Sequence, residues 1–281
     1  MRRSRFVLAA VAFASPASGY DRLSAEEAEQ LAKPTAADRA ASAARAVSEL
    51  GPKSTAMRRA SFWMIGSFEP AQPTFVSRGD DFEVSFEPPQ LYSGLATAIT
   101  TDGYLLTAAH LIRPHCWLIG HIDGRQAIVR PRVVFVETRA QMAAEFAILK
   151  IECSSLEPLP WENSRAGLSR LYASACETAP RFHRVELAGE TTRGEGASAS
   201  AHGRVIATNI PFWRGDSGGA VVDPQGRFVG LVMAFYLPWR THQVSRLVFV
   251  PNREFVMSVI VIDRQKSREQ QASDALIPFH R

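Results

Sequence analysis

Cysteine is scarce in this chain: Cys116, Cys153 and Cys176 are the only three in 281 residues. So few thiols exclude a disulfide-dense scaffold, and the odd count leaves at least one unpaired within the chain. A Cys153–Cys176 bridge and buried free thiols are both open. Long apolar runs are missing too. The most apolar stretch of the N-terminus, Phe6 to Ala14, is too short to cross a bilayer as a helix, so no stable membrane insertion is expected. Charge of one sign is not in excess. Setting aside residues 1–19, which hold Arg2, Arg3, Arg5 and no acid, takes the formal charge from +4 to 4 − 3 = +1. A nucleic-acid surface needs clustered positive charge, so no nucleic-acid partner is expected. His115, Cys116 and His121 fit no standard zinc spacing, and neither a metal nor another cofactor is expected. There is no internal repeat, and helical periodicity is weak from residue 58 to 250.

What is present divides the chain into four parts. Residues 1–19 have a basic start, a short apolar run and small residues near Ala17 and Gly19, the pattern of a secretory signal. The mature chain is then expected outside the cytoplasm, secreted or periplasmic. Residues 20–57 read as a helical leader or pro-segment. Ser24 with Glu27 forms a capping box, and Pro34 interrupts that helix. Thr35 caps a second helix that runs to Leu50, where Gly51-Pro52 stops it. Large apolar side chains are few here, which predicts a peripheral helix or flexible leader. Residues 58–262 form the main domain, and 263–281 read as a loose polar tail.

Within the main domain, short β-rich runs recur at Ala60–Ile65, Leu95–Thr100, Val133–Val136, Phe146–Ile151, Ala220–Val222, Phe228–Phe235 and Leu247–Val250. Turn signals separate them at Asp102-Gly103, Asp123-Gly124 and Asp223 to Gly226. Many short strands at this spacing predict an all-β barrel or sandwich. The run from Arg253 to Ile262 reads as a closing helix.

Three segments carry the chemistry, in the order histidine, acid, serine. TDGYLLTAAHLI (101–112) is a turn and an apolar strand that ends in small residues and His110. EFAILKI (145–151) puts Glu145 at the start of a buried strand. WRGDSGGAVV (213–222) flanks Ser217 with glycines and runs into another strand. A serine hydroxyl becomes a nucleophile only when a positioned base takes its proton. An imidazole's ordinary pKa lies near neutrality, which makes His110 the candidate base. Glu145 is the candidate acceptor for the other ring N–H. The backbone N–H groups of Gly215 and Ser217 can face an oxyanion, because Gly215 tolerates the backbone geometry such a loop needs.

These segments resemble the signature regions of the trypsin/chymotrypsin superfamily, particularly its bacterial HtrA-like and glutamyl-endopeptidase-like branch. TAAH (107–110) resembles the histidine motif, GDSGG (215–219) the serine motif, and GLVMAF (230–235) the strand that lines the substrate cleft. LVFVPNREFVMSVI (247–260) resembles the last strand and closing helix. The resemblance implies a double six-stranded antiparallel β-barrel with a short C-terminal helix. It also implies a serine endopeptidase acting on polypeptide substrates through an acyl-enzyme, with His110, Glu145 and Ser217 as catalytic residues. It puts Pro211 at the base of the primary pocket, where no carboxylate selects Lys or Arg. Met233 and Phe235 add apolar bulk, so small or medium apolar side chains are expected before the cleaved bond. The family's acid is normally aspartate, and none occurs between Asp123 and Asp216. The trypsin branch also has a new N-terminus that pairs with the aspartate before the serine, and no such activation motif is present. With only a short tail after residue 262, an HtrA-type cage with regulatory modules is not expected. The alternative is a catalytically inactive homologue that binds peptides or a partner protein.

Overall fold

The computed structural model describes residues 34–70, 72–78, 81–87, 92–137, 146–161, 170–176, 182–186, 201–208, 212–213, 215–236 and 245–275. The signal segment and the Ser24 helix lie outside them. Helix α1 (Ala36–Leu50) opens where Thr35 accepts the Asp38 N–H at 3.0 Å. It ends at Gly51, whose φ of +53° lets its N–H turn back onto the Val47 carbonyl. Its buried face reads Arg39, Ser42, Ala46, Leu50, a stripe of three- and four-residue steps. Ala46 and Leu50 join Met57 and Ala60 of α2 (Lys53–Ala60) in the main core. Of the segment read as a peripheral helix or flexible leader, the described helices are docked on the main core. Their side chains are small, and small side chains let the helix approach closely.

Two antiparallel sheets follow. The first contains β1 (Ser61–Ser67), β4 (Tyr92–Ala98), β5 (Tyr104–Ala108), β6 (His115–Ile122), β7 (Arg125–Val129), β8 (Arg132–Val136) and β9 (Phe146–Lys150), in the order β7-β6-β1-β4-β5-β9-β8. The second contains β10 (Tyr172–Cys176), β11 (Phe182–Glu186), β12 (Gly203–Thr208), β13 (Ala220–Val222), β14 (Phe228–Tyr236) and β15 (Ser245–Pro251), in the order β11-β10-β13-β14-β15-β12. A separate hairpin joins β2 (Gln72–Arg78) to β3 (Asp81–Glu87). This is the expected all-β double barrel, with a seventh strand on the first sheet. Every residue of β1 and β5 is buried, so period-two polarity is absent from them. The predicted turns carry positive φ at Gly103, Asp123, Gly124 and Gly226.

Helix α3 spans Arg253–Ala275, well past the predicted closing helix. The expectation of a loose tail from residue 263 gives way to helix as far as Ala275. The physical reason is a set of ion pairs. Arg132 grips Asp263 through two bonds of 2.8 and 2.7 Å, the Tyr104 hydroxyl donates to Asp263 at 2.9 Å, and Arg264 grips Asp102 at 2.9 and 2.7 Å. Cys116 and Cys153 are free thiols, and the side chain of Cys176 lies outside the described residues. Burial raises the pKa of both free thiols, and so suppresses their thiolates.

Candidate active site

His110 sits where the buried strand β5 meets a single 3₁₀ turn, Ala109–Leu111. Ala109 and Leu111 are buried on either side, and the imidazole between them is exposed. Alternation across one tight turn thus presents the ring to solvent. The chain beyond is tied by Cys116, whose sulfur accepts the Arg113 N–H at 3.2 Å and donates to the Arg113 carbonyl at 3.0 Å. Sequence reasoning weighed this cysteine for disulfide and zinc roles, whereas the structure makes it a clamp on the histidine turn.

Ser217 sits in the loop that leads into β13. Gly215 has φ of +96° and Gly218 of +81°, values that disfavour any other residue and explain the two glycines. Asp216 closes the loop. Its carboxylate accepts the Trp213 N–H at 2.5 Å, and its own N–H bonds to the Trp213 carbonyl at 3.0 Å. The Gly218 N–H bonds to Val232 at 2.7 Å, and the Val232 N–H returns to Gly219 at 2.9 Å, which anchors the loop on β14.

The same loop reaches the first sheet. The Leu95 N–H donates to the Ser217 carbonyl at 2.7 Å, and the Thr97 hydroxyl to the Gly218 carbonyl at 3.3 Å. Gly94 marks one close approach. A Cβ there would strike the Leu111 side chain and stand 2.8 Å from the Ser217 carbonyl oxygen. A Cβ on Gly218 would strike the Leu95 carbonyl and stand 2.7 Å from the Thr107 hydroxyl. The neighbour of His110 and the backbone of Ser217 therefore pack on the same glycine. The Thr107 hydroxyl is itself held by the Leu95 carbonyl at 2.7 Å.

The Ser217 hydroxyl donates to the main-chain carbonyl of Met233 at 3.1 Å. Met233 lies at a bulge of β14, between Val232 and Ala234, and its side chain is buried in the main core. Its backbone meets the serine, a role that its side-chain type could not reveal. Glu145 and Pro211 lie outside the described residues, as does the side chain of Phe235.

A further residue meets the loop, and sequence reasoning missed it. Arg39 of α1 reaches Asp216 with Nη1 to Oδ2 at 2.9 Å and Nη2 to Oδ1 at 3.2 Å. Both side chains are buried. Its only trace in the sequence is an arginine in register with Ser42, Ala46 and Leu50. Among the described residues, no cluster of three or more His, Cys, Asp or Glu is placed to hold a metal.

Residues 93–231 match the model of the trypsin-like peptidase domain. No curated protein matches the sequence. Among solved structures, the chain is similar to Deg5, at TM-score 0.50 and 14% identity over 75% of this chain and 91% of that one. It is similar to the HtrA-type protease AlgW with a decapeptide, at TM-score 0.53 and 19% identity over 75% of this chain and 67% of that one. The AlgW structure with a tripeptide gives TM-score 0.50 at 19% identity, over 78% of this chain and 62% of that one. The chain thus spans about two thirds of the AlgW chains. At these identities the likeness is one of fold.

Proposed function

We propose, from the trypsin-like peptidase domain matched over residues 93–231, that this chain is a secreted or periplasmic serine endopeptidase of the trypsin-like kind. Ser217 is the nucleophile, His110 the general base, and Glu145 the acid that accepts the second imidazole N–H. The observation that carries the reading is the shared contact at Gly94, with Leu111 on one side and the Ser217 backbone on the other. It brings the histidine turn and the serine loop together across the two sheets.

The mechanism starts with a rotation. The Ser217 proton is directed at the Met233 carbonyl, and a turn about χ1 redirects it to His110, a motion of picoseconds to nanoseconds. His110 takes the proton as the serine oxygen bonds to the scissile carbonyl carbon. The oxyanion then needs donors. The N–H groups of Asp216, Gly218 and Gly219 are committed to the carbonyls of Trp213, Val232 and Asp216, and those of Gly215 and Ser217 are proposed as the pair. His110 next protonates the leaving amine, the C–N bond breaks, and an acyl-enzyme remains for water to hydrolyse. Pro211, Met233 and Phe235 are proposed for the primary pocket, with Met233 contributing through its backbone.

The Ser217–Met233 bond also favours a second reading, in which the serine is parked and the domain binds peptides without cutting them. One experiment separates the two. A fluorophosphonate is expected to label Ser217 in the mature protein, and Ser217→Ala to abolish labelling and hydrolysis. A folded wild type that stays unlabelled from pH 6 to 9 establishes the binding reading instead.

A further inference from the structure

The buried ion pair between Arg39 and Asp216 joins positions 177 residues apart. The Arg39 side chain is 7% exposed and that of Asp216 is 0% exposed. Burying charge at this depth is unfavourable unless both partners are satisfied in good geometry. Here the guanidinium meets the carboxylate through two bonds, the arrangement that fixes orientation as well as charge. The same carboxylate holds the Trp213 N–H. The peptide units of Gly215 and Ser217 flank Asp216 directly, and Gly215 has no side chain of its own to resist a change of φ. The direction of the two oxyanion donors therefore depends on where the Asp216 carboxylate is held.

We propose that Arg39 is a positioning residue for the oxyanion loop, and that α1 is a permanent working part of the active site rather than a leader to be removed. The inference rests on the protease reading for its effect on turnover. Helix α1 supplies the means. Thr35 fixes its start, and Ala46 and Leu50 bury its far end in the core. Arg39 is thereby carried on a rigid element, so docking of the helix and alignment of the loop become one event. Without the guanidinium, the carboxylate would turn towards water and pull the Trp213–Ser217 backbone with it.

The test compares Arg39→Ala, Arg39→Lys, Asp216→Asn and the neutral pair Arg39→Met with Asp216→Asn, all in the full mature chain. Three quantities are read: the thermal transition, the rate of Ser217 labelling by a fluorophosphonate, and amide hydrogen exchange of residues 212–219. Folded Arg39→Ala is expected to label about 10²-fold more slowly, the size of losing an oxyanion donor. Millimolar guanidinium should restore at least about tenfold of this by entering the vacated site, whereas Asp216→Asn should be slow and unresponsive. Arg39→Lys should fall between, since charge survives while the fork is lost. Exchange in 212–219 should accelerate in Arg39→Ala with the sheets unchanged. If single variants fail to fold, the neutral pair, which leaves no buried charge, carries the test and should label equally slowly. Wild-type labelling and wild-type loop exchange in any folded variant lacking the guanidinium would overturn the proposal. A folded wild type that is itself unlabelled defeats the protease reading alone. Loop exchange then still decides whether Arg39 positions the loop.

Discussion

At the scale of single residues, the site is assembled by what glycine omits. Gly94 has an ordinary φ, so its requirement for glycine is one of space and cannot be seen in any turn pattern. Adding one methyl would push Leu111 and the Ser217 carbonyl apart. Gly94→Ala is expected to leave the thermal transition within a few degrees of wild type and to lower kcat about 10²-fold. Misplacement of reacting groups by an ångström costs that much. Steady-state kinetics beside calorimetry checks it, and an unchanged kcat would show that Gly94 does not set the histidine–serine spacing. The glycines of GDSGG, in contrast, were legible as such. Their positive φ values at Gly215 and Gly218 are the local consequence of a loop that turns its N–H groups inward. Ser217, His110 and their neighbours could be named from the sequence because each sits in a short pattern. Arg39 could not, because its partner is chosen by the docking of a helix.

At the scale of elements, α3 shows how a polar stretch becomes ordered. Val256 and Ile260 bury one face, and Asp263 and Arg264 take over where apolar residues run out. The carboxyl of Asp263 is held below the usual carboxylate range, first by the bond from Arg132 and then, against the opposing push of burial, by the Tyr104 hydroxyl. A depressed folded pKa contributes stability that is full above the unfolded value, about 3.9, and is lost as pH falls through the folded value. Asp263→Asn is therefore expected to cost about 1–2 kcal/mol at pH 7, discounted for the half-exposed Arg132. The difference between the two proteins should shrink below about pH 4. Urea melts of both at pH 7 and pH 3 measure it, and a gap that stays constant would mean that the carboxylate charge contributes nothing. The length of α3 escaped the sequence reading because tail residues after Ile262 lack apolar periodicity, while their partners, Asp102 in a turn and Tyr104 and Arg132 on strands, lie more than 100 residues away.

At the scale of the whole molecule, export and fold are separable questions. No helix among the described residues is long and apolar enough to cross a membrane, and the N-terminal pattern predicts cleavage. The mature protein is expected to begin near Tyr20, which N-terminal sequencing of native material checks, and an intact Met1 on cytosolic protein would contradict export. A start near Tyr20 also keeps Arg39, as the positioning role requires. The sequence by itself determined the all-β class, about half of the strand positions, the turns at Asp102, Asp123 and Asp223, the cap at Thr35, and the order of histidine and serine motifs. Each of these rests on interactions within a few residues: alternation, a left-handed glycine, a hydroxyl that reaches the next turn. Only the tertiary structure decided that Asp216 faces Arg39, that Met233 meets Ser217 through its carbonyl, that Gly94 is the pivot between the two sheets, and that the described leader helices are docked. Those are contacts between segments distant in the chain. Their energies come from burial and from pairing charges that water would otherwise solvate, and local sequence carries no record of which distant group will arrive.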